Sequence, residues 1–223
     1  MTGRWGTGLL RTALVGVAAL LLFGGCAIGG QAVGGSAGDL ADRSVSAEDF
    51  PVSGATRVPE DALPFALNGL SGSDPATAYP ADCRPAAPDN SGAVAYSVIV
   101  NGGTTSYTTA VVRAKDSLDT VTAQAQRCPQ SRTGADRAAS LVQLAVAPPP
   151  VTSNGVVGAA LRRTVYTGDP SHQIATSSLT LIGQRDDVRV YVQYRWMGAA
   201  PIDSAAAAGL DSLFTKAVSA AFG

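Results

Sequence analysis

Thr176-Ser177-Ser178-Leu179-Thr180-Leu181-Ile182-Gly183, then Gln184-Arg185-Asp186, then Asp187-Val188-Arg189-Val190-Tyr191-Val192-Gln193-Tyr194-Arg195-Trp196-Met197: two arms rich in β-formers flank a short polar link. β-Branched and aromatic residues dominate the second arm and no proline interrupts either, so the stretch predicts an antiparallel hairpin over 176–197. Side chains alternate between the two faces of a strand. Val188, Val190, Val192, Tyr194 and Trp196 therefore share one face, whose apolar character assigns it to a core. Arg189, Tyr191, Gln193, Arg195 and Met197 share the other. Asp186-Asp187 reads as the turn of the hairpin before it reads as a cation site.

The same alternation extends outward. Val94–Val100 is a strand with Tyr96, Val98 and Val100 facing one way, and Asn101-Gly102-Gly103 turns it into a second over Thr104–Ala114. Ala138–Val146 and Ala159–Thr167 read as further strands, separated by Pro148-Pro149-Pro150 and a loop around Asn154-Gly155. Helical spacing takes over in three places. Pro59-Glu60-Asp61 opens a helix through Leu70, with Gly72 just past its end, and Asp116 or Ser117 caps another through Leu118, Val121 and Ala125 to Cys128. Asp203 starts the last, whose apolar stripe is Leu210, Leu213, Phe214, Ala217 and Ala221. Consecutive strands joined by tight turns predict an α+β fold, an antiparallel sheet of roughly six strands with helices packed on one side.

This domain is expected over residues 56–223. Before it, Ala27–Ser53 is rich in Gly, Ala, Ser and Asp and reads as a flexible tether within residues 26–55. Earlier still, Arg4 and Arg11 give a positive start, no acidic residue precedes Asp39, and Thr12–Phe23 is apolar. That run, roughly a dozen residues, has the length of a signal-peptide core and falls short of the about 20 needed to span a membrane. Leu22-Phe23-Gly24-Gly25-Cys26 resembles a bacterial lipobox, departing from it at Phe23, where Leu is commoner. The resemblance implies a signal peptide over 1–25, cleavage before Cys26 and acylation of that cysteine, palmitate included. The mature protein would then hang from the extracytoplasmic face of the cell membrane, its partner through the lipid anchor. Several acyl chains, at about 0.8 kcal/mol per buried CH₂, make such anchorage stable.

Three cysteines are an odd number. With Cys26 consumed by lipid, Cys83 and Cys128 remain to pair in an oxidising compartment, closing a loop of 45 positions. A metal pair or a reactive thiol would want His or Cys neighbours that the sequence does not supply. Hydrophobic residues make up 46% and charged residues 15%, with a net charge of −1. Losing Arg4 and Arg11 with the leader leaves 14 basic against 17 acidic side chains, or −3. That balance excludes the clustered basic excess of a nucleic-acid binder.

The helix before Pro80-Ala81-Asp82-Cys83 and the second cysteine ending the next helix resemble the sensor-like extracellular domains of mycobacterial cell-envelope lipoproteins. So do the sheet between them, the closing Val190–Trp196 strand and the Ala-rich helix. The same domain type forms the outer part of some mycobacterial receptor Ser/Thr kinases. The likeness covers about Pro59 to Gly223. Those kinase domains carry two disulfides where this chain can make one, and it has no kinase motif. The resemblance implies a non-enzymatic binding or sensor-like role toward an envelope glycan, lipid or protein.

Catalytic signals are sparse. Gly34-Gly35-Ser36-Ala37-Gly38 fits G-x-S-x-G but lacks the strand-to-helix turn that exposes a nucleophile. His172, the one histidine, falls in a turn region after Gly168-Asp169-Pro170-Ser171 and would be the base of any hydrolase here. No metal-ligand cluster and no cofactor motif appears, so neither is expected. The face carrying Arg189, Tyr191 and Arg195, with Arg162 and Arg163 on another strand, is the expected ligand surface for an anionic sugar, phosphate or lipid headgroup. An apolar cavity between helices and sheet, suited to a lipid or glycolipid carrier, is the alternative.

Overall fold

The computed structural model describes residues 40–73, 78–133, 140–152, 155–169 and 172–223. The signal peptide, Cys26 and Gly34–Gly38 lie outside the described residues. Strands β1 (Thr56–Arg57), β2 (Ala78–Tyr79), β3 (Asp89–Val100), β4 (Thr105–Arg113), β5 (Gln130–Thr133), β6 (Ser140–Ala147), β7 (Val157–Thr167), β8 (Ile174–Arg185) and β9 (Val188–Met197) form one sheet. Its order is β1-β3-β4-β9-β8-β7-β6-β5-β2, and every adjacent pair is antiparallel. The helices are α1 (Leu63–Ser71), α2 (Leu118–Arg127) and α3 (Ser204–Phe222).

The β8–β9 hairpin is where the alternation placed it, with Arg185 opposite Val188 and Asp186-Asp187 as its link. Asp186 sits at φ 54, and the Asp187 carboxylate accepts from Arg113 at 2.7 Å. Helix ends also follow sequence rules. Ser117 and Asp203 accept from the N–H groups of Thr120 and Ala206, satisfying donors that the first turn leaves open. Gly72 ends α1 in the left-handed region at φ 77, a conformation that glycine adopts without a Cβ clash.

Three expectations are corrected. The sheet has nine strands among the described residues, not about six. β1 and β2 are two residues each, and β5, Gln-Ser-Arg-Thr, is polar throughout, so none leaves a periodic apolar signal.

Helices also cover both faces rather than one. α3 lays Leu210, Leu213, Phe214, Ala217 and Ala221 on Val188, Val190, Val192, Tyr194 and Trp196. On the opposite face Leu63, Leu67 and Leu70 of α1 and Leu118 of α2 bury Ala93, Ala95, Ala110, Val112, Ile182 and Tyr191. Small residues at 93, 95 and 110 make room for this second layer.

The segment expected to be tether is packed from Leu40 onward. Leu40, Val45, Phe50 and Ala55 belong to the α3-side core, and Lys216 on α3 donates to the Asp49 carbonyl at 2.8 Å. Widely spaced single apolar residues carry this packing, which composition averages away. Leu40 is 2% exposed, so Leu40→Ala is expected to cost about 2–3 kcal/mol. Urea unfolding measures it, and an unchanged midpoint would return the segment to tether.

Candidate functional site: a cleft over the second sheet face

Register decides which side chains meet on the face under α1 and α2. Leu144 on β6 lies opposite Arg163 on β7, Arg163 opposite Ser178 on β8, and Ser178 opposite Arg195 on β9. The neighbouring rows are Leu161, Thr180 and Gln193 on one side and Val142, Val165, Thr176 and Met197 on the other. α1 stands mainly on β3 and α2 on β6 and β7, and between them Thr176–Ser178 of β8 with Gln193 and Arg195 of β9 line a gap. The gap is a cleft of about 670 Å³, within the range of roughly 300–1,000 Å³ usual for small-ligand sites.

Its walls are held by bonds that cross between elements. The Cys83–Cys128 disulfide, with Cα atoms 5.6 Å apart, ties the 81–85 segment to the end of α2. Gln124 reinforces the tie, its Nε2 donating to the carbonyls of Asp82 at 3.3 Å and Arg84 at 2.9 Å. On the other wall Gln193 Nε2 donates to Thr180 Oγ1 at 2.8 Å and to the Gly69 carbonyl of α1 at 3.3 Å. Ser73 Oγ donates to Asn68 Oδ1 and bonds the Ser71 hydroxyl, which closes the C-terminal turn of α1. A Cβ at Gly72 would come within 2.7 Å of Arg163 Nη1, so the bare glycine backbone leaves that guanidinium its place.

The lining is mixed, with more apolar than polar surface. Val121, Val142, Leu144, Leu161 and Val165 form one sector. Three arginines, Arg84, Arg163 and Arg195, face one carboxylate, Asp61, among the described lining residues. Arginine thus outnumbers acid in the described lining, within a chain whose net charge is −1. Phe65 of α1, 81% exposed, stands at the mouth.

The four residues expected to form one ligand surface are separated. Arg195 is exposed in the cleft. Arg162 lies on the opposite, α3-side face, its Nη2 donating to the carbonyls of Ala199 at 3.0 Å and Ala200 at 3.2 Å. Arg189 and Tyr191 share the cleft-side face but are buried away from the opening. The Arg189 guanidinium donates to Gln184 Oε1, the Asp116 carbonyl, Asp116 Oδ1 and the Tyr191 hydroxyl. Burial raises the Tyr191 phenol above its ordinary value, and the Arg189 charge and hydrogen bond act in the opposite direction. Both are structural groups here, because the turn before α2 brings Asp116 over them.

Of the two expected arginines on β7, Arg163 is the one in the same row as Arg195, with Ser178 between them. Alternation separates 162 from 163; only the β7–β8 register says which of them joins Arg195. His172 is exposed in the β7–β8 turn, and its N–H donates to the Asp169 carbonyl at 2.8 Å. Cys83 and Cys128 form the expected disulfide. No helix among the described residues is long and apolar enough to cross a membrane.

No family model and no curated sequence matches the chain. Among solved structures it is similar to an uncharacterized protein of Mycobacterium smegmatis, at 13% identity over 75% of this chain and 85% of that one, with a TM-score of 0.42.

Proposed function

We propose that this chain is a lipid-anchored extracytoplasmic binding accessory of the cell envelope, non-enzymatic, whose ligand occupies the cleft between α1, α2 and the sheet. The observation that carries the reading is the cleft itself: about 670 Å³, mixed in polarity, with walls tied by a disulfide. A preformed concavity of that size combining an apolar sector with a few polar groups is the usual form of a ligand site. The anchor follows from the resemblance of Leu22–Cys26 to a lipobox. In this reading Cys26 holds the domain at the membrane and residues 27–39 give it reach.

A carrier of lipid or glycolipid is the second reading, favoured by the apolar sector around Val142, Leu144 and Val165. The two differ in whether the ligand leaves for another membrane.

The full chain, produced in an actinobacterial host, provides the test. Wild type should fractionate with membranes and Cys26→Ala should not. Native mass spectrometry of the extracted protein should show a bound small molecule, depleted in Leu144→Trp, which fills the cleft, and in Phe65→Arg, which changes its mouth. An adduct indifferent to both variants would place the ligand elsewhere, and Cys26→Ala staying membrane-bound would remove the anchor.

A further inference from the structure

We infer that the domain rests its cleft mouth on the phospholipid bilayer, through an apolar arc of Ile99, Met197 and Ile174 with Phe65 of α1 beside it. The inference rests on the Cys26 anchor and the cleft of the proposed function, and adds the surface by which the domain meets the membrane.

Register puts the arc on the cleft-side face. Ile99 on β3 lies opposite Ser106 on β4, and Ser106 opposite Arg195 on β9, so Ile99 shares the face of Arg195. Met197 follows Arg195 by two positions on β9 and lies opposite Thr176, a cleft-lining residue. Ile174, two positions before Thr176, lies opposite Thr167, which also lines the cleft. From β3 to β8 is three strand intervals, about 15 Å.

All four apolar side chains are at least half exposed. The other large apolar side chains exposed among the described residues, Val146, Val151 and Val157, lie around the β6–β7 connection. Single exposed apolar residues are ordinary, whereas several gathered at the rim of a cleft mark an interaction surface. The sheet positions of the arc carry no carboxylate that a bilayer would repel. Arg195, exposed among them, can lay its stem on apolar surface and keep its charge at headgroup level.

Two observations make the occupant a bilayer. Leu40, the first packed residue, lies 14 positions after Cys26, and that length fully extended spans about 46 Å. The nine-stranded sheet is about 38 Å across. The tether therefore lets the cleft-side face turn to the membrane although Leu40 packs on the α3 side, and it holds the two at high effective concentration. The second observation is continuity. Met197, Thr176, Val165 and Val142 stand side by side in one row across β9, β8, β7 and β6. A leaflet seated on the arc thus adjoins a row leading to the apolar sector of the cleft, which a protein surface closed over the arc would seal.

The full acylated chain, isotope-labelled in an actinobacterial host and placed in phosphatidylglycerol–phosphatidylcholine nanodiscs, tests this. A trace of lipid carries a nitroxide just below the headgroup, and broadening of backbone amides reports which face meets it. The amides of Ile99, Ile174 and Met197 should broaden about tenfold more than those of Asp211 and Thr215, exposed on α3. Ile174→Ser/Met197→Ser, at two exposed positions, should bring Ile99 down to the α3 level while the chain stays in the discs.

Equal broadening on both faces would overturn the docking and leave the anchor standing, with the arc free for a protein partner. Stronger broadening on α3 would turn the cleft away from the membrane and overturn it too, as would a double variant that broadens like wild type. A chain that does not enter the discs would remove the anchor, and the inference with it.

Discussion

Arg189→Met is expected to lower stability by about 3 kcal/mol, and the loss should come without any change at the cleft. The guanidinium is 5% exposed and stands 3.1 Å from Asp116 Oδ1. It also donates to the Gln184 amide oxygen, the Asp116 carbonyl and the Tyr191 hydroxyl. Removing one partner of a buried pair costs about 3–5 kcal/mol, because the remaining groups lose their bonds and water cannot replace them. The lower end applies, since the Asp116 side chain is 34% exposed and can be rehydrated. Guanidinium unfolding reads the change; for a domain of this size it equals a drop of roughly 6–12 °C in melting temperature. A loss under 1 kcal/mol would mean the network contributes nothing beyond packing.

Tyr191 adds a pH signature to the same network. Its phenol is raised above the ordinary value of about 10 by burial. The folded state therefore holds the proton where the unfolded chain has released it. The associated stability is complete below about pH 10 and falls as pH rises from there toward the folded value. Tyr191→Phe should flatten that alkaline loss, measured as urea midpoints from pH 9 to 11. An unaltered alkaline slope would assign the loss to other groups.

Breaking the Cys83–Cys128 bridge is the second large effect. The double variant Cys83→Ala/Cys128→Ala is expected to lose about 3–4 kcal/mol, the restriction that a bridge spanning 45 positions places on the unfolded chain. The loss should also reach the cleft. Without the bridge the two Gln124 bonds are what ties the 81–85 segment to the end of α2 among the described hydrogen bonds, so that wall loosens. Amide exchange at Gln124 and Ala125 should accelerate, while that of α3 stays as it is. Calorimetry in the presence and absence of reductant checks the first part. Equal hydrogen exchange at Gln124 and Ala125 in both forms would refute the second.

The β8–β9 hairpin and the two capped helices were legible because their causes are local. A residue's face in a strand and its place in a helical turn are set by neighbours within a few positions. Ser117, Asp203 and Gly72 act on groups within four residues of themselves. Residues 40–55 were not legible, since Leu40, Val45 and Phe50 are core residues only because α3 and the sheet receive them. β5 and β2 have polar or minimal sequences and become strands through the edge that β6 offers.

The candidate site divides the same way. Arg195 was marked by sequence because alternation put it with polar neighbours. Which of two arginines shares its face was not legible: Arg162 and Arg163 are adjacent in the chain and lie on opposite faces, and a one-residue slip in pairing exchanges them. The β7–β8 register that settles the matter, Arg163 opposite Ser178, is fixed by packing on both faces of the sheet.

By itself, then, the sequence determined the antiparallel hairpins, the caps, the cysteine pair and the core face of β9, all consequences of short-range geometry or of counting. Tertiary structure decided that Arg189 and Tyr191 are buried, that Arg163 joins Arg195, and that a cleft opens between α1 and α2. Each of these depends on which distant surface arrives to cover a face. Alternation specifies the two faces of a strand but carries no information about what lies on them.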